Sequence, residues 1–169
     1  MKKWLIGIVL LIGVVIAAKQ LNHNDYTSAK QLADAGNYQA FYSEIKEDVV
    51  KRDEDATNLL MDYFLKAVQD GDIAEAKYYL DQDRSIIDRD CESSKEHRNG
   101  RAIYAALLGY DGNDDMIKSL LSYRPELNFP IKNIQNVSPL QMAVMDTRYK
   151  DNLHLIQLLI DGGANQDFV

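Results

Sequence analysis

Apolar residues recur every three to four positions near the C-terminal end of the chain. One stripe contains Leu140, Ala143 and Val144. A second stripe follows after a polar turn, and its members are Leu153, Ile156, Leu159 and Ile160. Because a helix brings positions three and four apart onto one face, this spacing predicts two amphipathic helices that bury their apolar sides.

The same segment carries signals for where these helices begin and end. Ser138-Pro139 precedes the first stripe: the hydroxyl can cap a helix, and proline is tolerated at the first helical position. Gly162-Gly163 follows the second stripe, and glycine readily takes the positive φ that ends a helix. Residues 138–166 are therefore predicted to form a helix–turn–helix unit.

Further helices are predicted upstream. Thr27 or Ser28 can cap a helix that Gly36-Asn37 ends, and Tyr38–Val50 forms a second helix. The apolar residues on one side of that second helix are Phe41, Tyr42, Ile45 and Val49. The charged run at 46–58 breaks the apolar pattern and is interpreted as a linker or a frayed helix end. The third helix is then expected to begin at Thr57 or Asn58.

Three segments resemble the ankyrin repeat, a helix pair that opens on TPLHxA and closes on a glycine turn. The clearest is 138–166, where SPLQMA and LIQLLIDGGAN match the two helices and the turn. In 99–128, RAIYAA and GNDDMIKSLL stand in the same places. Arg101 replaces the family's capping threonine there, so the capping bond is left open. In 64–80 the matching positions are Ala67, Gly71, Ile73 and Leu80.

Two asparagines and a proline add to the resemblance. Asn99 and Asn136 occupy the position of the family's β-turn glycine, and asparagine tolerates the left-handed region better than most residues. Pro125 follows the second helix of the middle repeat as a stop signal. These residues support a division of the C-terminal part into successive repeats.

The resemblance implies an all-α fold, namely a solenoid of helix–turn–helix, ankyrin-like repeats over 57–169. About three repeats are expected, at 57–90, 96–128 and 133–166. Residues 27–52 are expected to form an N-terminal helical cap, because terminal units of repeat arrays are atypical.

The spacing between repeats is longer than in the family. Gly71 to Gly112 spans 41 residues and Gly112 to Asp151 spans 39, against about 33 in an ankyrin repeat. The excess is assigned to turns and finger loops, chiefly within 86–101 and 146–151. Loops tolerate added length whereas packed helices do not, so the repeat hypothesis accommodates the longer period.

The N-terminal segment has the pattern of an export signal. Met1-Lys2-Lys3 is basic, and the 15 residues of Trp4–Ala18 are uncharged and apolar. Residues 1–18 are interpreted as a signal peptide or a membrane anchor made of an apolar leader helix, followed by a spacer at 19–26. The apolar run is shorter than the roughly 20 residues of a usual transmembrane helix. The sequence leaves cleavage and retention open.

The leader also predicts a compartment. Lysines before the apolar run keep that end in the cytoplasm, so residues 19–169 are expected on the exported, periplasmic side. The protein would be soluble there after cleavage, or anchored in the inner membrane by residues 4–18. Membrane contact is expected only through that segment. No cysteine lies directly after the apolar run, which excludes a lipoprotein anchor.

The exported part is acidic. The whole chain has 19 basic and 26 acidic side chains; without Lys2 and Lys3 there remain 17 and 26, a formal charge of −9. Such a charge repels nucleic acid and anionic lipid, and it speeds encounter with a basic protein. The same charge would also keep a secreted protein soluble. It therefore favours a basic partner without identifying one.

The sequence contains no recognisable catalytic or metal-binding pattern. His23, His97 and His154 share no metal-ligand spacing with one another or with Cys91. The acidic run 111–115 lacks the glycine and glutamate placement of an EF-hand calcium loop. We therefore expect solvated histidines, a loop thiol without a role, and no cofactor, metal or catalytic residue.

Ankyrin proteins characteristically bind protein partners through finger tips and the exposed side of first helices. The binding residues that the resemblance implies are Glu96, His97, Arg98 and Gly100 in one finger, Ile134, Gln135 and Val137 in the next, and Met145 and Asp146 at the end of a first helix. A second candidate surface is the edge formed by the turns between paired helices. Tyr110 and Tyr149 lie there, one repeat apart, and tyrosine is favoured in binding hot spots. Alternatively, both rings cover the helix ends.

These features predict a non-enzymatic, monomeric module that holds another protein in the periplasm. A small acidic protein with a leader is similar to periplasmic immunity proteins, which block a toxin, and to ankyrin partners that assist an enzyme. The sequence leaves inhibition and assistance open. The alternative is a membrane-tethered structural adaptor of the envelope in which Trp4–Ala18 stays uncut. An enzyme is a third class, which the residues do not favour.

Overall fold

The computed structural model describes residues 25–92, 99–131, 136–145 and 153–167. These residues form eight α-helices, one 3₁₀ helix and one hairpin of two-residue strands, so the predicted all-α class is confirmed. The helices are α1 (Thr27–Asp34), α2 (Tyr38–Val50), α3 (Glu54–Asp70), α4 (Ile73–Gln82), α5 (Ala102–Leu108), α6 (Asp115–Ser122), α7 (Pro139–Met145) and α8 (Leu153–Asp161). The 3₁₀ helix is Arg84–Asp88, and the antiparallel strands are β1 (Cys91–Glu92) and β2 (Asn99–Gly100).

The chain divides into two compact units, Met1–Ile45 and Lys46–Val169. The predicted leader and most of the spacer, residues 1–24, lie outside the described residues. None of the described helices is both long and apolar enough to cross a membrane. The interpretation of residues 4–18 as a signal peptide or an anchor therefore stays a prediction.

The first unit contains α1 and the larger part of α2. Gly36 ends α1 with a φ of +76°, as predicted, and α2 has the predicted bounds. The Ser28 hydroxyl donates to the Glu44 carboxylate over 3.3 Å and joins the two helices. The predicted cap by Thr27 or Ser28 is wrong. The Thr27 hydroxyl and N–H both donate to the Asp25 carboxylate, which lies before the helix.

The charged run before α3 is largely helical, contrary to the interpretation as a linker. Arg52 takes a φ of +61° after α2, and α3 begins at Glu54, before the predicted start at Thr57 or Asn58. Asp53 caps α3 by accepting from the Ala56 N–H over 2.9 Å. Acidic residues are favourable at this end because unpaired backbone N–H groups give it a partial positive charge. The acidic residues that suggested a loop therefore form the start of α3.

The described part of the second unit contains three consecutive helix pairs, α3–α4, α5–α6 and α7–α8. The two helices of each pair pack together, and the pairs lie side by side: α3 packs on α5, α5 on α7, and α4 on α6. The first pair turns tightly, because Gly71 takes a φ of +77° and Asp72 caps α4 by accepting from the Glu75 N–H. Gly71 thus has the inter-helix role that the sequence predicts.

Two glycines allow neighbouring pairs to approach closely. A Cβ added to Gly109, after α5, would lie 2.0 Å from the backbone carbonyl oxygen of Gln69 in α3. A Cβ added to Gly162, after α8, would lie 2.6 Å from the Leu121 side chain of α6. Real atoms cannot come so near, so glycine is required at the first position by backbone contact. The Gly109–Gln69 contact brings the ends of α3 and α5 together.

A hydrogen bond of the same kind joins each helix pair to the next. The Asp88 carboxylate accepts from the Glu126 N–H over 2.8 Å, and the Asn128 side chain accepts from the Asn165 N–H over 2.7 Å. The separations are 38 and 37 residues. Each acceptor lies six residues after the end of one second helix, and each donor four residues after the end of the following one. We call this hydrogen bond the joint; it recurs once per helix pair.

Fingers follow the second helices. The 3₁₀ helix buries Ile86 and Ile87, and β1 and β2 then form the base of the first finger. The assignment of the β-turn glycine position to Asn99 is wrong, since Asn99 pairs with Glu92 in the hairpin and Gly100 has the φ of +113°. Before α7, Ile131 and Val137 form an isolated antiparallel bridge at the base of the next predicted finger.

The last helix pair begins as predicted. Asn136 takes a φ of +59°, and Ser138 caps α7 by accepting from the Gln141 N–H over 3.1 Å. The Gln141 side chain accepts from the Ser138 N–H over 2.7 Å, which completes a reciprocal capping box. Ser138 is only 2% exposed. The capping bonds are therefore shielded from water.

Two members of the predicted apolar stripes are exposed. Val144 is 62% exposed and Leu153 is 81% exposed, whereas Met142 and Leu155 are buried. Leu140, Ala143 and Leu159 are buried as predicted, and Ile156 and Ile160 are half-buried. The runs PLQMAVM and LHLIQLLI contain overlapping helical stripes. Periodicity alone cannot select which of these faces the neighbouring helices.

Candidate protein-binding surfaces

The first predicted surface is described only in part. Glu96, His97, Arg98, Ile134, Gln135 and Asp146 lie outside the described residues. Gly100 lies at the base of its finger, and an added Cβ would lie 2.8 Å from the Tyr104 ring in α5. Val137 is half-buried, and its carbonyl accepts from the Ile131 N–H over 2.8 Å. Both residues therefore have a structural role at the finger bases.

The exposed end of α7 is the strongest feature of this surface. Met145, predicted as a binding residue, is 65% exposed, and its neighbour Val144 is 62% exposed. Two adjacent apolar side chains are therefore exposed where α7 ends. The sequence assigned Val144 to the core, so only one of this pair was predicted.

Arg101 connects the two finger bases. It precedes α5 without a side-chain cap, which answers the question left open by its place in the repeat pattern. Its guanidinium donates to the Glu126 carboxylate over 2.8 Å and lies 4.3 Å from the centre of the Phe129 ring. Cation–π and ionic contacts to two residues of the following loop hold that loop against α5. No sequence pattern indicates either of these partners.

The second predicted surface, the edge formed by the inter-helix turns, contains Tyr110. Its hydroxyl donates to the Asp114 carboxylate over 2.7 Å, and its ring is half-buried. The turn between α5 and α6 therefore folds back on itself, as in the alternative that the ring covers a helix end. Tyr149 lies outside the described residues. The pairing of the two tyrosines stays a prediction.

Asp114 also joins α6 to α8. Its other oxygen lies 2.5 Å from Nδ1 of His154, and the Lys118 ammonium lies 3.8 Å away. The Asp114 side chain is only 13% exposed, although it is flanked by polar residues in the sequence. His154 is exposed, as predicted, yet it contacts the preceding helix pair. This contact between helix pairs could not be found from the spacing of the histidines.

In the acidic run 111–115, side-chain oxygens accept hydrogen bonds from nearby backbone N–H groups. Asp111 accepts from the Asn113 N–H over 2.9 Å, and Asn113 accepts from the Asp115 N–H over 3.0 Å. Over the described ranges, no three His, Cys, Asp or Glu side chains form a group able to hold a metal ion.

A cavity of about 160 Å³ opens at the same edge, between the turns of the first and second helix pairs. Its lining includes Val68, Gly71, Ala106, Tyr110, Met116 and Ile117, together with the acidic residues Asp70 and Asp111. No sequence motif marks this cavity, because it arises where the α3–α4 turn and the α5–α6 turn lie next to each other.

Three titratable side chains on the second helices and their ends have shifted pKa values. Burial raises the pKa of Glu75, and the Tyr79 hydroxyl, which donates to it over 2.9 Å, opposes the shift. Burial also raises the pKa of Tyr79 above its usual range, so its hydroxyl stays protonated. Burial, with a hydrogen bond to Asp81, raises the pKa of Tyr123 to about 12. Of these contacts, only the Tyr123–Asp81 bond joins α4 to the end of α6, and the three groups form no convergent site.

In comparisons with protein-family models, with curated proteins and with solved structures, nothing matches this chain.

Proposed function

We propose that the three helix pairs of the second unit form an ankyrin-like solenoid whose task is to bind another protein. The observation that carries this proposal is the joint that recurs between successive pairs, from Asp88 to Glu126 and from Asn128 to Asn165. Equivalent bonds one repeat apart are what stacked copies of one structural unit produce, since each unit contacts its neighbours in the same way.

The proposed binding face is the finger side of the solenoid together with the end of α7. Support comes from Val144 and Met145, which expose apolar area in water where a helix ends. Exposed apolar side chains on a chain with a formal charge of −7 suit a partner that has an apolar patch and basic residues. The bound protein is either inhibited, as a toxin would be, or assisted, as an enzyme would be.

A cross-linking experiment tests the proposal. The photoreactive residue p-benzoylphenylalanine replaces Met145 in the full chain, which is expressed in bacterial cells and irradiated. We expect a discrete higher-mass adduct that mass spectrometry identifies as one partner protein. Lys77, exposed on α4 and away from the end of α7 in the chain, is the matched control position. Equal labelling at both positions, or none at either, would contradict a binding role for this face.

A second candidate function is a membrane-tethered adaptor of the envelope. It is favoured by the uncharged apolar run of Trp4–Ala18, which is shorter than a usual transmembrane helix but would hold the chain at a membrane if it were not cleaved. Fractionation separates the two candidates. An exported binding protein leaves with the periplasmic extract, whereas a tethered adaptor stays with the membrane until detergent is added.

A further inference from the structure

The cavity between the first two inter-helix turns has an apolar floor. Val68, Ala106, Met116 and Ile117 line it and are all buried, and they come from α3, α5 and α6. Ile73, the first residue of α4, is half-buried at its side. The floor is therefore made by helices that are fixed by packing, and because its side chains are almost fully buried it offers only a small apolar area to whatever enters.

The mouth of the cavity is negative. Asp70 and Asp111 line it from the two turns, and both are exposed. Asp70 is also the last residue of α3, a helix of 17 residues whose C-terminal carbonyl groups give this end a partial negative charge. A cation at the mouth would be attracted by two carboxylates and by a helix C-terminus.

The volume of the cavity limits its occupant. Small-molecule sites usually enclose roughly 300–1,000 Å³, and this cavity has about 160 Å³. That space suits one long side chain rather than a cofactor. The combination of an apolar floor and a negative mouth matches a side chain with a methylene stem and a cationic end, which is the chemistry of lysine and arginine.

We propose that this cavity receives a single lysine or arginine side chain of a basic protein partner. The proposal rests on the proposed binding function and deepens it, since it names a site and the chemistry of the contact. The stem lies on Val68 and Ile117, and the cationic end lies between Asp70 and Asp111. Tyr110, held by its hydrogen bond to Asp114, forms one wall.

Within the chain, Lys66 already pairs with Asp70 and would compete with the partner's cationic side chain for that carboxylate. Its ammonium lies 2.7 Å from the Asp70 carboxylate, one helical turn away, and both side chains are at least half exposed. Exposed ion pairs of this kind are weak and readily exchanged. An incoming cation can therefore replace Lys66 at Asp70 while Lys66 returns to water, at little cost.

The test uses ¹⁵N-labelled protein produced from the full chain and three probes. Nα-acetyl-lysine methylamide and Nα-acetyl-arginine methylamide carry the proposed side chains, and Nα-acetyl-norleucine methylamide has the lysine stem without its charge. We expect the two cationic probes to shift the amide resonances of Gly71, Gly109 and Tyr110 in a saturable manner. Norleucine should bind at least about fivefold more weakly.

Variants separate a defined site from diffuse attraction. The pair Asp70→Asn and Asp111→Asn keeps a side-chain oxygen at both positions and should weaken the cationic probes roughly fivefold. The pair Asp161→Asn and Asp167→Asn removes the same charge from α8 and the C-terminal end, and it should leave probe binding unchanged. Ile73→Trp fills the cavity and should abolish saturable binding of all probes, with circular dichroism as the check on folding.

Three results would overturn the proposal: no shift at the cavity with any probe, equal binding of norleucine and lysine, or equal weakening by both asparagine pairs. None of these bears on whether Met145 contacts a partner. Conversely, the cationic probes could bind at the cavity while Met145 gives no cross-link. That result would contradict the proposed binding face at the end of α7 and leave the cavity as a site for basic side chains.

Discussion

The Asn128 side chain accepts a 2.7 Å hydrogen bond from the backbone N–H of Asn165 and so joins the ends of two successive helix pairs. Its amide group also donates to the Gly163 carbonyl over 3.3 Å. In the proposed solenoid each helix pair contacts only its neighbours, so such joints would carry much of the coupling between helix pairs. The stability of the last pair should therefore depend on Asn128.

Asn128→Ala removes both bonds of this joint. We expect the free energy of unfolding in urea to fall by about 1–3 kcal/mol and the Asn165 amide to exchange its hydrogen faster. Asn128→Asp retains the acceptor and loses the donor, so it should cost less. If the aspartate variant were as unstable as the alanine variant, the bond to Asn165 would not be the one that holds the last pair.

Ser138→Ala tests the buried capping box of α7. The change removes the acceptor for the Gln141 N–H in a place that water does not reach, so the free energy of unfolding should fall by about 1 kcal/mol. Ser122→Ala is the matched control, since that exposed hydroxyl donates to the Ser119 carbonyl of its own helix. Urea denaturation should find the control variant close to the parent protein.

Gly109→Ala tests the close approach of α3 and α5. The added methyl group would meet the Gln69 carbonyl, and because a backbone atom cannot move alone, the two helix ends must separate. We expect a loss of about 1–3 kcal/mol and faster hydrogen exchange at the ends of both helices. Gly71→Ala is the contrasting change, because its added methyl group would contact no other atom. The positive φ at position 71 would still cost alanine about 1–2 kcal/mol. Faster exchange should then be confined to its own turn.

The substitution Glu75→Gln should raise the free energy of unfolding by an amount that depends on pH. The folded pKa of Glu75 is raised above its usual value of 4.5, so the folded state binds the proton more tightly than the unfolded state. Stability therefore falls as pH rises from about 4.5 through the folded pKa, and above that the ionised carboxylate is a cost. Glutamine keeps an acceptor for Tyr79 and stays neutral. The variant should be more stable than the parent at pH 7, with little difference at pH 4.

The control for this prediction is Glu47→Gln, a change at an exposed position of α2. Thermal unfolding of both variants and the parent at the two pH values gives the comparison. A gain for Glu75→Gln that is equal at both pH values would mean that packing, and not the charge of Glu75, is responsible.

Local signals in the sequence predicted the ends of helices well. Gly36, Gly71 and Gly163 take positive φ at or just after helix ends, as their placement suggests, and Ser138 caps α7. These signals act within a few residues, so no knowledge of the packing is needed. The predicted start of α3 at Thr57 or Asn58 is wrong although Asp53 is an ordinary capping residue, because the charged run around Asp53 is equally typical of a loop.

The candidate site could not be predicted to the same degree. Arg101 meets Glu126 across 25 positions, and His154 meets Asp114 from the next helix pair. Contacts at that distance depend on which faces of the helices pack, and the exposed Val144 illustrates that an apolar run leaves this open. The cavity likewise exists only because two turns that are separate in the chain lie together.

The donors at Glu126 and Asn165 are main-chain N–H groups, whereas the acceptors are side-chain oxygens. Any amino acid other than proline supplies such a donor, so the identity of the donor residue is irrelevant to this bond. A proline substitution at 165 is therefore a way to uncouple the last helix pair from the one before it while its helices remain intact, whereas proline at 126 would also remove the carboxylate that binds Arg101.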